Sequence, residues 1–112
     1  MEIPAAATAL SALGHVPRLE LFRLLVRAGP EGMPAGEIGR SLGAVQNTVS
    51  SYLKTLSQAG LVVPRREGRS IIYMADYDTI GVLLRFLVED CCNGDAAVCA
   101  SDFGALSGST SC

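Results

Sequence analysis

The chain has 112 residues, 49% of them hydrophobic, with four cysteines, one histidine and no tryptophan, the size of one domain with enough apolar surface to bury a core. Its apolar runs are too short to cross a bilayer, and its opening residues lack the basic, apolar and small-residue blocks of an export signal, so no membrane partner and a cytoplasmic, reducing setting are expected, with free or ligating thiols rather than disulfides. The net charge of −2 is unevenly spread: residues 40–75 hold Arg40, Lys54, Arg65, Arg66 and Arg69 against Glu67 alone, whereas residues 76–112 hold six acids against Arg85, so the middle third is suited to a polyanion.

Ala6, Leu10 and Leu13 share one face of a short first helix that starts near Ala5 and ends at Gly14. From Pro17, Leu21, Leu24, Leu25 and Ala28 recur at helical spacing until "AGPEGMP" interrupts them, which gives a second helix. Pro34 opens a third, with Ile38 and Leu42 inward, and Gly43 closes it. In the next segment Val45, Val49, Leu53 and Leu56 form a buried stripe on a helix predicted over about 46–58. Its other side offers Gln46, Asn47, Thr48, Ser50, Ser51 and Lys54. These amides and hydroxyls suit base edges and phosphates, where an ordinary surface helix carries charged pairs. Two helices joined by "LGAV" make a helix-turn-helix with this as the recognition helix.

Residues of about 62–75 read as a β-hairpin turning at Glu67-Gly68, with Arg65, Arg66 and Arg69 at its tip for phosphate contact. Asp78 caps a last helix of about 78–92, whose Ile80, Leu83, Leu84, Leu87 and Val88 make an apolar stripe. This helix and the first are expected to form a dimer interface. The predicted fold is mainly α with a small β-hairpin: a dimeric winged helix-turn-helix of about five helices and a two-stranded wing. Residues 1–92 form the DNA-binding and dimerisation domain, and 93–112 a flexible tail that carries Cys99.

The stretches "ALGHVPRLELFRLL", "IGRSLGAVQNTVSSYLKTLSQAGLV" and "RREGRSIIYMA" resemble, in order and spacing, the ArsR/SmtB family of small winged-helix repressors. The resemblance implies a homodimer that represses a promoter in its apo form and leaves operator DNA when an inducer binds. The family's metalloid cysteines in the third helix are replaced here by "EGMPAGEI", and residues 78–90 lack the histidine of its divalent-metal sites. Val45 stands where the family commonly places a serine.

"EDCCNGDAAVC" holds three of the four cysteines. Cys91, Cys92 and Cys99 look like the C-terminal arsenic site of one ArsR subgroup. The chemistry points the same way: As(III) and Sb(III) are soft and take three sulfur ligands, whereas zinc would need a fourth from Cys112 or Asp95. The rival use of these thiols is redox sensing by disulfide formation. Cys112 is a bystander, His15 packs at a helix junction, and Tyr52 is a boundary residue. No organic cofactor is implied, and the absence of a Ser/His/Asp or Cys/His arrangement argues against an enzyme.

Overall fold

Alanines rather than leucines form the buried face of the first helix. In the computed structural model, which describes residues 1–89, α1 (Ile3–Leu13) buries Ala6, Ala9 and Ala12 and leaves Leu10 43% exposed. Of the expected stripe Ala6, Leu10 and Leu13, Ala6 is buried and Leu13 half-buried, while Leu10 faces outward. Small side chains at every third position let α1 lie against α2 (Val16–Ala28) and α4 (Gln46–Gln58), and a leucine at that contact would hold the helices apart. The start of α2 also secures the end of α1. Arg18 donates from Nε to the Ala12 carbonyl at 2.8 Å and from Nη2 to the Ser11 carbonyl at 3.4 Å, which also accepts the Gly14 N–H at 3.2 Å, placing a cation at the C-terminal end of the helix dipole. Arg18→Ala is expected to lower stability by about 1–2 kcal/mol, read as a shift of the urea unfolding midpoint.

Leu21, Phe22 and Leu25 of α2 are buried, with Leu24 and Ala28 half-buried beside them. Leu21, Leu25, Ile38, Val49, Leu56 and Leu61 are fully buried and form the centre of the core. Glycine ends α2 at a place only glycine tolerates: Gly29 (φ 76°, ψ −164°) leads into the 3-10 turn Gly29–Glu31, and Gly32 (φ 67°, ψ −167°) leaves it. The chain then makes a short strand that the sequence does not announce, β1 (Met33–Pro34), before α3 (Ala35–Leu42).

Two further strands follow α4: β2 (Val62–Glu67) and β3 (Ser70–Ala75). The antiparallel sheet has the order β1-β3-β2, with Met33 opposite Tyr73 and Val62 opposite Ala75. Pro64 is accommodated because β2 lies at the sheet edge. Glu67 pairs with Ser70, so the two-residue hairpin loop is Gly68-Arg69 instead of the expected Glu67-Gly68. Gly68 takes φ +60°, as the first residue of the primed hairpin turns requires.

Elements α1 to β3 belong to one compact unit, Glu2–Tyr77, and a second unit runs from Asp78 and includes Met1. The last helix, α5, is Tyr77–Val88. It starts one residue before the expected cap, which puts Asp78 in its first turn, where a carboxylate still favours the helix dipole. Of the predicted stripe, Leu83 is buried, Ile80, Leu84 and Val88 are half-buried and Leu87 is 49% exposed. The helix was expected to reach residue 92 but ends at Val88, with Glu89 in a turn. Cys91, Cys92, Cys99, Cys112 and the expected tail 93–112 lie outside the described residues.

Candidate nucleic-acid interface

The turn between α3 and α4 is only three residues long, and glycine makes it possible. Gly43 takes the left-handed conformation (φ 66°, ψ 32°), and the Ala44 N–H donates to the Gly39 carbonyl at 3.0 Å, the bond pattern of a Schellman motif. Gly39 is itself buried, and a side chain there would collide with the Gln46 amide and meet the Ala44 carbonyl at 3.1 Å. The Gln46 Nε2 reaches across it to donate to the Ala35 carbonyl at 3.3 Å. The N-terminus of α4 is thus held on α3 by a side-chain clasp over a glycine.

Val49, Leu53 and Leu56 bury one side of α4, and Gln46, Asn47, Ser50, Ser51 and Lys54 are exposed on the other. Thr48 is half-buried at the edge of that face. Val45 does not continue the buried stripe as expected. It is the N-cap residue, with extended backbone, and is 70% exposed. It precedes the first helical residue, so the periodicity that buries Val49 does not apply to it. Tyr52 is half-buried against His15, ring centroids 5.5 Å apart at 56°; the His15 Nδ1 is buried without a hydrogen-bond partner.

The three wing arginines divide into two kinds. Arg65 and Arg66 are neighbours on a strand and project from opposite faces. Arg65 donates from Nη1 to the Pro30 carbonyl at 3.2 Å and from Nη2 to the Glu31 carbonyl at 3.2 Å. Its Nη1 also lies 3.4 Å from Met74 Sδ, diagonally across the hairpin. Nη2 pairs with Glu67 at 3.1 Å, but with the two side chains 41% and 56% exposed this ion pair is worth under about 1 kcal/mol. The carbonyl bonds set its direction, and they bind the wing to the turn after α2. Arg66 and Arg69 are exposed, Arg69 in the hairpin loop. The two-residue period of a strand was the available signal that Arg65 and Arg66 would not face the same way.

Among the described residues no group of three or more His, Cys, Asp or Glu side chains is placed to hold a metal ion, and no helix is long and apolar enough to cross a membrane. Arg18 and Gly39 are the residues that sequence reasoning passed over. Arg18 follows a proline at a helix start, where its cap on the preceding helix is not marked by any spacing, and Gly39 reads as one more small residue in a short helix.

Residues 13–65 match a family described as a helix-turn-helix domain. The HTH-type transcriptional regulator YceK of Bacillus subtilis is 32% identical over 83 residues, 74% of this chain and 82% of that protein. NmtR of Mycobacterium tuberculosis, also an HTH-type transcriptional regulator, is 41% identical over 73 residues, 65% of this chain; the match spans 58% of NmtR. ArsR2 of Halobacterium salinarum, provisionally named an arsenical resistance operon repressor, is 38% identical over 78 residues, 70% of this chain and 64% of its own length. Among solved structures, an ArsR-like regulator from Rhodococcus sp. RHA1 shares the fold with a TM-score of 0.73 at 24% identity, covering 87% of this chain and 89% of that one. A homodimeric winged helix-turn-helix DNA-binding domain from Mycobacterium bovis matches with a TM-score of 0.63 at 25% identity, over 79% of this chain and 82% of its own.

Proposed function

The chain belongs to the ArsR family of winged helix-turn-helix transcriptional regulators, and from that premise we propose that it is a cytoplasmic homodimeric repressor that holds operator DNA until As(III) or Sb(III) binds Cys91, Cys92 and Cys99. The relatives it matches are transcriptional regulators, not enzymes. The observation that carries the DNA-binding part is the exposed, almost uncharged polar face of α4, whose first residue is hydrogen-bonded to α3, together with Arg66 and Arg69 exposed on the wing that follows it in the chain. Amides and hydroxyls on a helix read base edges in the major groove, and arginines on a wing hold the neighbouring phosphates. In this reading Gln46, Asn47, Thr48, Ser50, Ser51 and Lys54 line the groove. The Gln46 bond to Ala35 leaves its Oε1 to accept from a base amino group.

Dimerisation is supported by the homodimeric Mycobacterium bovis domain and by exposed apolar residues on the helices expected to pair: Ile3 at 70%, Leu10 at 43% and Leu87 at 49%. Two recognition helices related by a two-fold axis suit a palindromic operator. Residues 1–92 serve as the DNA-binding and dimerisation domain and 93–112 as a tail that brings Cys99.

The metalloid part rests on the donor set. His15, the chain's one imidazole, is packed on Tyr52, and three thiols remain within nine residues of one another. A soft trivalent metalloid is satisfied by three thiolates, whereas zinc wants a fourth ligand. The naming of Halobacterium ArsR2 for arsenical resistance agrees with this. The adjacency of Cys91 and Cys92 favours a second reading, in which the same cysteines form a disulfide on oxidation and so report redox state.

Fluorescence anisotropy of the reduced protein on its own promoter DNA, at fixed salt, tests both. Arsenite is expected to weaken binding by about 5- to 150-fold, the range of ordinary allosteric coupling, and Cys91→Ser, Cys92→Ser and Cys99→Ser are each expected to abolish the response while leaving apo affinity unchanged. Release by peroxide with no effect of arsenite would establish the redox reading instead.

A further inference from the structure

The recognition helix begins on a residue that neither caps it nor packs into the core. Val45 holds the N-cap position with φ −75° and ψ 154°, and its carbonyl accepts the Val49 N–H at 3.1 Å. Its side chain makes no cap hydrogen bond, although the first N–H groups of the helix lack intrahelical acceptors and a serine hydroxyl would satisfy one of them. At 70% exposure it is also left out of the core that takes Val49, Leu53 and Leu56. A single exposed apolar residue is ordinary on a protein surface. This one is at the tip of the helix whose N-terminal residues meet base edges in helix-turn-helix proteins.

The surroundings fix its direction of use. Gln46 is drawn back to the Ala35 carbonyl over Gly39, and Asn47 stands exposed beside it. An isopropyl group therefore shares the leading end of the helix with an amide. In the major groove the one apolar feature a base pair presents is the C5 methyl of thymine; every other distinguishing atom is a donor or an acceptor. We propose that Val45 is a specificity-determining residue that packs on a thymine methyl in each operator half-site. This rests on the operator-binding reading above and adds the identity of one base to it.

The test uses the full-length protein and a promoter fragment on which it binds specifically, with each thymine of the protected site replaced in turn by deoxyuridine, which removes only the methyl group. One symmetry-related pair of replacements is expected to weaken wild-type binding by about 3- to 4-fold per half-site, the value of one buried methyl, or about 10-fold for both. Val45→Ala and Val45→Ser should lose a similar factor on the unmodified fragment and become indifferent to that pair of replacements. Val45→Ser separates reading from folding, because its hydroxyl caps the helix and should raise the melting temperature while thymine discrimination is lost. If the variants keep the wild-type deoxyuridine profile, or if no thymine matters to the wild type, the proposal is overturned while operator binding stands. If no promoter fragment is bound specifically, the operator-binding reading falls, and this proposal with it.

Discussion

Gly32→Ala is expected to destabilise the protein by about 3–5 kcal/mol, a large part of what a domain of this size has, and to abolish DNA binding near 37 °C. Two costs combine. At φ 67°, ψ −167° the backbone occupies a region open essentially to glycine alone, and holding another residue there costs about 1–3 kcal/mol. An added Cβ would also lie 2.5 Å from the Tyr73 carbonyl oxygen and 2.8 Å from Ile72 Cγ2. The first of these is backbone in the central strand of the sheet, so relief requires β1 to separate from β3, and such overpacking costs about 1–3 kcal/mol. Gly29 supplies the control. It has nearly the same dihedrals (φ 76°, ψ −164°) but nothing within 4 Å of a built Cβ, so Gly29→Ala carries the conformational cost alone, about 1–3 kcal/mol. Urea unfolding of the two variants at one protein concentration measures the difference. Equal midpoints would mean that the turn relaxes freely and that β1 contributes nothing to holding the wing.

The double change Arg66→Ala/Arg69→Ala is expected to reduce operator affinity by about 100-fold at moderate salt, from four lost solvent-exposed phosphate contacts per dimer at about 0.7 kcal/mol each. It should also flatten the plot of log affinity against log salt. Each phosphate contact contributes about 0.9 to that slope, so two per subunit amount to about 3.6 for a dimer. Arg65→Gln should behave differently despite removing the same charge. Its guanidinium is spent on the Pro30 and Glu31 carbonyls, and its loss should cost the wing about 1–2 kcal/mol in stability and lower affinity through a looser wing, with the salt slope preserved. A slope that falls as much for Arg65→Gln as for Arg66→Ala would show that Arg65 leaves its carbonyl partners to meet DNA. Urea unfolding of Arg65→Gln gives the structural term separately.

These contrasts follow from which features a chain's local chemistry can announce. The helix predicted over about 46–58 runs Gln46–Gln58, because Val49, Leu53 and Leu56 repeat at helical spacing opposite an almost uncharged polar face. The closing of α3 at Gly43 and the turn at Gly68 were legible because left-handed backbone selects glycine. The basic character of residues 40–75 is a matter of position along the chain, whereas Cys91, Cys92 and Cys99 lie outside the described residues. Each legible feature is a property of neighbours in sequence. The tertiary structure decided the rest. Ala9 and Ala12 are buried in preference to Leu10 because the distance between α1 and its partners is set by packing, which a count of hydrophobic residues does not contain. Val45 leaves the core because the helix starts one residue after it. Arg65 acts within the wing while Arg66 faces outward because carbonyls of Pro30 and Glu31, more than thirty residues earlier, lie under one face of the hairpin and not the other. β1 exists only because β3 presents an edge to pair with, and two residues carry no strand signal of their own. Local chemistry chose the elements and their ends; which side chains were left over to meet a partner was fixed when distant segments took up the hydrogen bonds and the volume around them.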